Sequence, residues 1–418
     1  RYRLRWICWK RLKEWVVNSF SRYTHRLTQR VALMLALGIC SSVVYGQDDP
    51  QTILWAGIAF RGNMSDTAEL LPLTKSAIDE VGLAKLNTLA WEGIQRVKRD
   101  DIRFSQAVGK STSGDAIALA LALDFEQFQE SVVRGNVCAF GRLWAQVLVF
   151  DFSEKKLIGA FPLRVETPNS CERDVTVFPE DKKRALVRQL LFEDASKSIL
   201  SAFERQLADQ QFHSGWQANI KVTAVALGKF TKEMLKESAW SEAAYRRWLA
   251  ATFAAAMSDQ QRIPVLPYSL GGAIAGAMPL RFGDSEAFNI ALPPEDYAVK
   301  LTARGYVEKI LDESRSRVAK SHIFSLGVDF YDPDFGDHYL NENMNIARKG
   351  EYAKTDSIDV VQIYEEITSV LVSEFLSQFP KPDKAWVTQH VKTKAKWKAL
   401  QKNFEAVDKE IFANIRGD

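Results

Sequence analysis

The stretch IPVLPYSLGG (263–272) reads as a strand entering a tight turn, with Ser269 at its tip, the setting in which a serine hydrolase presents its nucleophile. In such a turn the position two before the serine is glycine, because the flanking strand and helix press against it. Here that position is Pro267. Pro264 and Pro267 also both fall inside the supposed strand, where proline removes a ladder donor that a central strand needs. Ser269 is therefore read as a loop hydroxyl in an insertion spanning 266–292, whose Tyr268, Arg281 and Phe282 are candidates for contact with a partner. A secreted serine hydrolase using Ser269 is the alternative. VGKSTSG (108–114) has the glycine, lysine and serine of a phosphate loop, but its required first glycine falls on Phe104. It reads as a Gly/Ser connection between strands.

The run DFYDPDFGDHY gathers Asp329, Asp332, Asp334, Asp337 and His338, an oxygen density that suits Ca²⁺. It lacks the bidentate glutamate that ends an EF-hand loop, and Asp, Pro and Gly are equally what a hairpin turn requires. A calcium-stabilised binding protein is the second alternative. The five histidines are scattered and no H-x-x-x-H occurs, so zinc has no support. No metal, cofactor or catalytic residue is expected.

The chain carries a formal charge of +3, with nine Lys/Arg against only Glu14 in residues 1–30. The remainder is thus mildly acidic, about −5, which argues against a nucleic-acid partner, whose phosphates call for clustered Lys and Arg. After Arg30 comes an apolar run of about fifteen residues and then small or turn-compatible residues, the pattern of a secretory signal. Cleavage is expected near Gly46, giving a periplasmic or secreted chain. A retained anchor is the competing reading, although the run falls short of the roughly 20 residues that span a bilayer. An oxidising compartment then leaves Cys138 and Cys171 as the mature chain's cysteines. LWAQVLVFDF and LIGAFPLRVE read as a hairpin around SEKK, pairing Phe152 with Leu157. Carried outward, that register sets Cys138 opposite Cys171, and a disulfide is expected there.

Stepping outward to whole elements, the chain repeats itself. TILWAGIAF (52–60) and NIKVTAVAL (219–227) are alike; each is followed by a helical stretch, a run ending in Glu-Ser, a hairpin and an amphipathic helix, in that order. The fold class is α+β: two tandem related domains, each a small, mostly antiparallel sheet with helices packed on it. The boundaries are 1–46 for the basic extension and signal, 47–212 and 213–380 for the two domains, and 381–418 for a C-terminal amphipathic helix.

The opening strand WAGIAF and the hairpin VLVFDFSEKKLIGAF, with its aspartate before the turn, resemble an envelope family. That family includes the periplasmic domain of the curli secretion pore, the outer-membrane activators of penicillin-binding proteins and the amino-terminal domain of the Tol propeller protein. The resemblance covers about 130 residues of each half, and neither first strand is followed by the Asn- or Asp-rich loop usual in that family. It implies an envelope-assembly accessory protein without catalysis. In the C-terminal segment Trp397, Leu400, Phe404, Val407 and Ile411 recur at three and four, a narrow seam that either packs on the second domain or receives a partner helix. Its Lys-rich start offers a weak contact to anionic lipid. The reading is an exported, non-catalytic binding or adaptor protein of the bacterial cell envelope, with an envelope protein as partner.

Overall fold

The computed structural model describes residues 50–62, 64–106, 117–168, 170–210, 216–238, 240–268, 276–282, 288–356, 360–393 and 395–417. Residues 1–49, on which the expected secretory signal falls, Ser269 and the VGKSTSG stretch lie outside the described residues.

The first half opens with β1 (Gln51–Arg61), then three helices, α1 (Met64–Leu70), α2 (Pro72–Val81) and α3 (Leu83–Arg96). Proline at the start of α2 has no donor to waste in the first turn, and Leu86, Ala90 and Ile94 give α3 one buried stripe. The strands β2 (Ile102–Gln106), β3 (Ile117–Val133), β4 (Asn136–Asp151), β5 (Lys156–Glu166) and β6 (Ser170–Glu172) follow. α4 (Glu180–Arg188) runs through a π turn at Gln189–Glu193, and α5 (Ile199–Asp209) starts where the Ser198 side chain accepts from Ser201 N. β1 lies parallel to β3, while β3, β4 and β5 are antiparallel neighbours.

The second half repeats that sheet plan. It comprises β7 (Ile220–Leu227), α6 (Lys229–Lys236), α7 (Glu242–Gln261), a short β8 (Ala277–Arg281) and β9 (Phe288–Ala291), then the long strands β10 (Tyr297–Glu313), β11 (Arg317–Tyr331) and β12 (His338–Ala353). α8 (Val360–Leu376), α9 (Lys384–His390), α10 (Trp397–Ala406), a π stretch at Val407–Phe412 and α11 (Ala413–Arg416) complete it. β7 is parallel to β10, and β10, β11 and β12 are antiparallel neighbours. The run β1-β3-β4-β5 of the eight-stranded first sheet and the four strands β7-β10-β11-β12 of the second therefore share order and direction. They also share three bulges. Ala56 and Thr223 are the extra residues of β1 and β7, Asp124 and Arg304 those of β3 and β10, and Ile158 and Tyr339 those of β5 and β12. Bulges re-aim strands and are kept where geometry demands them. The α+β class is as the sequence implies, and residues 52–418 form one compact unit.

The hairpin departs from the sequence reading, and the C-terminal seam takes the first of its two expected places, packed on the second sheet. The hairpin turns over residues 152–155 and pairs Phe150, not Phe152, with Leu157. The bulge at Ile158 moves the register by one, a further shift before β6 moves it again, and the two together still set Cys138 opposite Cys171, where the disulfide forms. The C-terminal seam is internal. Leu400, Phe404, Val407 and Ile411 are buried with Phe330, Phe375 and Phe379, and Trp397 packs against the same core, because the second sheet offers an apolar face that α7 and α8 alone leave partly open.

That face is set by alternation. Val299, Leu301 and Ala303 with Phe324, Leu326, Val328 and Phe330 point inward, and Lys300, Thr302, Arg304 and Asn341 point the other way. α7 buries residues around most of its circumference, Tyr245, Trp248, Leu249, Phe253 and Met257 among them, as a helix packed on several neighbours must. In the first half, Leu119, Leu121 and Leu123 of β3 face the α3 and α5 core, while Ala118, Ala120 and Ala122 face the opposite way. There β8 pairs with β1 and β9 with β5, so the strand path closes into a ring. The alanines leave room inside it for Phe150, Met278 and Ile290.

Candidate functional site

The back of the first sheet meets α7 and α8, and that junction is polar where a core is ordinarily apolar. Arg142 on β4 and Glu365 on α8 are both almost wholly buried and paired through Nη1 and Oε2. Gln127 Nε2 donates to the other carboxylate oxygen at 2.7 Å. Arg142 also approaches Glu166 at 3.6 Å and lies over the Phe140 ring at 4.3 Å. Burial pushes the Glu365 carboxyl up, and Arg142 and Gln127 pull it back.

The same ladder leads outward. Glu166 accepts from Arg164 at 3.4 Å, and Arg164 Nη1 donates to Ser369 Oγ at 3.0 Å, tying β5 to α8. Burial, and then the neighbouring Arg142, lower the Arg164 guanidinium from its ordinary value. Arg164 and Ser369 stand at the wall of a cleft of about 480 Å³ between the two halves, which Arg205 and Asp209 of α5, Thr252 and Asp259 of α7 and Ser373 of α8 also line. Arg205 Nη1 donates to Ser196 O at 2.7 Å. Thr252 is buried and its Oγ1 has no hydrogen-bond partner. The cleft thus presents two guanidiniums, two carboxylates and several hydroxyls on rigid elements. What such a lining offers is charge and hydrogen bonding rather than apolar contact.

The residues singled out in the sequence fall elsewhere. Arg281 is buried, donates from Nη2 to Thr67 Oγ1 at 3.2 Å and lies near the Phe60 ring, so it braces α1 against the strand ring. Phe282 packs on the ring interior beside Phe288. The Tyr268 carbonyl accepts from Arg61, whose other nitrogen pairs with Asp124 at 2.6 Å. Arg281 and Phe282, like the C-terminal seam, pack inside the chain, while at Tyr268 it is the backbone carbonyl that makes this contact. In the acidic hairpin Asp332 Oδ1 accepts from Asp334 N and Phe335 N, and His338 Nδ1 lies 2.7 Å from Asp329. Among the described residues no three His, Cys, Asp or Glu side chains are placed to hold a metal ion, and no helix is long and apolar enough to cross a membrane. The ladder of Arg142, Arg164 and Glu365 was missed; the sequence carried a signal only at Arg142, the single charge in the apolar run of β4 before Asp151, whereas Arg164 and Glu365 have Glu166 and Glu366 close by and read as ordinary polar positions.

No family model matches the chain, and no curated protein matches it. Among solved structures it is similar to a crystal structure from Helicobacter pylori that bears the name neuraminyllactose-binding hemagglutinin homolog, with 12% identity, covering 39% of this chain and 85% of that one, at a TM-score of 0.25. A likeness of that size carries no argument about function.

Proposed function

We propose that this chain is an exported, non-catalytic binding or adaptor protein of the bacterial cell envelope, built from two copies of one module, and that the polar cleft between the copies is where it engages its ligand or partner. The observation that carries this reading is the convergence of charged and hydroxyl side chains from both halves on one cleft, backed by the buried Arg142 and Glu365 pair. Neither half alone supplies that set. The matched bulges support a copied module, and the Cys138–Cys171 disulfide is in keeping with an oxidising compartment. The signal reading of residues 1–46 and the resemblance to envelope accessory domains point the same way.

The test is site-specific crosslinking in the full chain, expressed in a bacterium with its amino-terminal segment intact. A photoreactive residue replaces Gln260 at the cleft, and in a control it replaces Lys182 on exposed α4. Adducts at Gln260 alone, lost when Arg164→Glu is added, are the expected result. Adducts equal at both positions, or none at Gln260, would reject the cleft. Recovery of the chain from the cytoplasm with its cysteines reduced would reject export.

A further inference from the structure

The matched bulges align the two halves residue by residue beyond the parallel strand pair, in the arms formed by β3 with β4 and by β10 with β11. Phe128 and Glu130 correspond to Glu308 and Ile310; Val137, Ala139 and Gly141 correspond to Val318, Lys320 and His322. In the first arm this face is covered by the chain itself. Phe178 and Leu186 pack on Val137 and Ala139 beside Phe128. Glu130 accepts from Phe178 N at 3.0 Å and pairs with Lys183 at 2.6 Å. The covering chain is the segment between β6 and α5.

Among the described residues the second arm has no such segment: β12 ends at Ala353 and α8 begins at Val360, a connection far shorter than the one that covers the first arm. The corresponding face is an open groove of about 390 Å³, lined by Glu308, Ile310, Val318, Lys320 and His322 with Tyr352 of β12 and Ile363 of α8. Ile310 is 54% exposed, whereas Phe178 and Leu186 shield the matching surface of the first arm. His322 lies at 1% exposure with Nδ1 2.5 Å from the Tyr306 hydroxyl, and its Nε2 has no hydrogen-bond partner. The groove's charges do not balance. Lys320 pairs with Glu308 at 2.7 Å, Lys354 with Glu313 at 2.6 Å and Arg348 with Glu366. Asp356 receives the backbone N–H groups of Arg134 and Ala353, so of the groove's three carboxylates, Glu308, Glu313 and Asp356, it is the one with no cationic side chain paired to it.

We propose that this groove is the docking site for a basic, amphipathic segment of a partner protein. The segment would present two apolar side chains, as Phe178 and Leu186 do on the first arm, and a lysine whose partner differs from that of Lys183, because Ile310 stands where the first arm has Glu130 and the open carboxylate is Asp356. The apolar pair covers Ile310, Val318 and Ile363, the lysine meets Asp356, and the sheet receives the layer that its twin receives from its own chain. This surface is separate from the cleft between the halves and stands or falls apart from it.

The probe is a labelled synthetic peptide of residues 174–190 of this chain, DVTVFPEDKKRALVRQL, titrated into the intact protein and followed by fluorescence anisotropy. Saturable binding is expected, weakened at least tenfold by Ile310→Glu and by Asp356→Lys, and unchanged by Val307→Glu on the other face of the same strand. Thermal melts of the variants check that each still folds, and Phe178→Ser in the peptide supplies the reciprocal loss. Absence of saturation at millimolar peptide would overturn the proposal, as would equal affinity for Ile310→Glu. A protein that sediments as a dimer, and as a monomer once Ile310→Glu is introduced, would overturn it in favour of a second copy as the occupant.

Discussion

Arg142 and Glu365 sit where neither can reach water, so each depends on the other. Removing one partner of a buried ion pair leaves an uncompensated charge and typically costs 3–5 kcal/mol, about what Arg142→Ala is expected to cost in urea unfolding. Replacing both, as Arg142→Met with Glu365→Leu, is expected to come within about 1 kcal/mol of the parent or above it, because two desolvation penalties leave together. If the double variant were as weak as the single one, the pair would be stabilising in itself. His322 gives a pH prediction. Burial lowers its pKa from the ordinary 6.5, with Lys320 and Arg348 adding to the shift and Glu308 opposing it. Below pH 6.5 the unfolded chain therefore takes up a proton that the folded chain resists, and stability falls as pH falls from there towards the folded value, by at most about 1.4 kcal/mol per pH unit. Comparing urea midpoints at pH 7.5 and 5.5, His322→Gln should lose less than the parent. An equal loss would assign the dependence to other groups.

At the scale of elements, the alternation in IALALAL decides two faces at once. Leu121→Ala opens a cavity on the helix side and is expected to cost about 2–5 kcal/mol. Ala120→Leu overfills the ring on the other side, at about 1–3 kcal/mol. Similar small effects for both would mean that the ring is loosely packed. The disulfide closes a loop of sequence separation 33, and Cys138→Ala with Cys171→Ala is expected to lower stability by about 3–4 kcal/mol in the chain-entropy account. This element also illustrates what was legible. Alternation located the hairpin strands and the facing cysteines, but not the turn, since SEKK and FSEK are equally good turns and local pattern does not reveal the Ile158 bulge. The three and four spacing of Leu400, Phe404, Val407 and Ile411 located a helical seam. Which surface receives a seam depends on distant parts of the chain, here Phe330 and Phe375, and spacing alone leaves that open.

Over the whole molecule, the α+β class was readable because strands and helices state themselves locally, whereas the closure of the first sheet by β8 and β9 was not, since it joins strands far apart in sequence. What separates the halves was harder to read: the cover on one arm, the bare groove on the other, and the cleft between them all arise from contacts far apart in sequence. The acidic hairpin belongs at this scale too, as a choice between metal and turn for the second sheet. Its Asp332 already caps the turn, so melting with and without a chelator is expected to give the same midpoint. A rise of several degrees on adding Ca²⁺ would reverse that, since a cation bound only to the native state must stabilise it.

The ring that β8 and β9 close on the first sheet carries a temporal implication. A chain made amino end first leaves the Lys156 end of β5 and the outer side of β1 without these strand partners until residues 277–291 have emerged. The late strap is therefore a fastening that arrives from the other half of the chain. A nick in the polypeptide between the halves would leave them laced together.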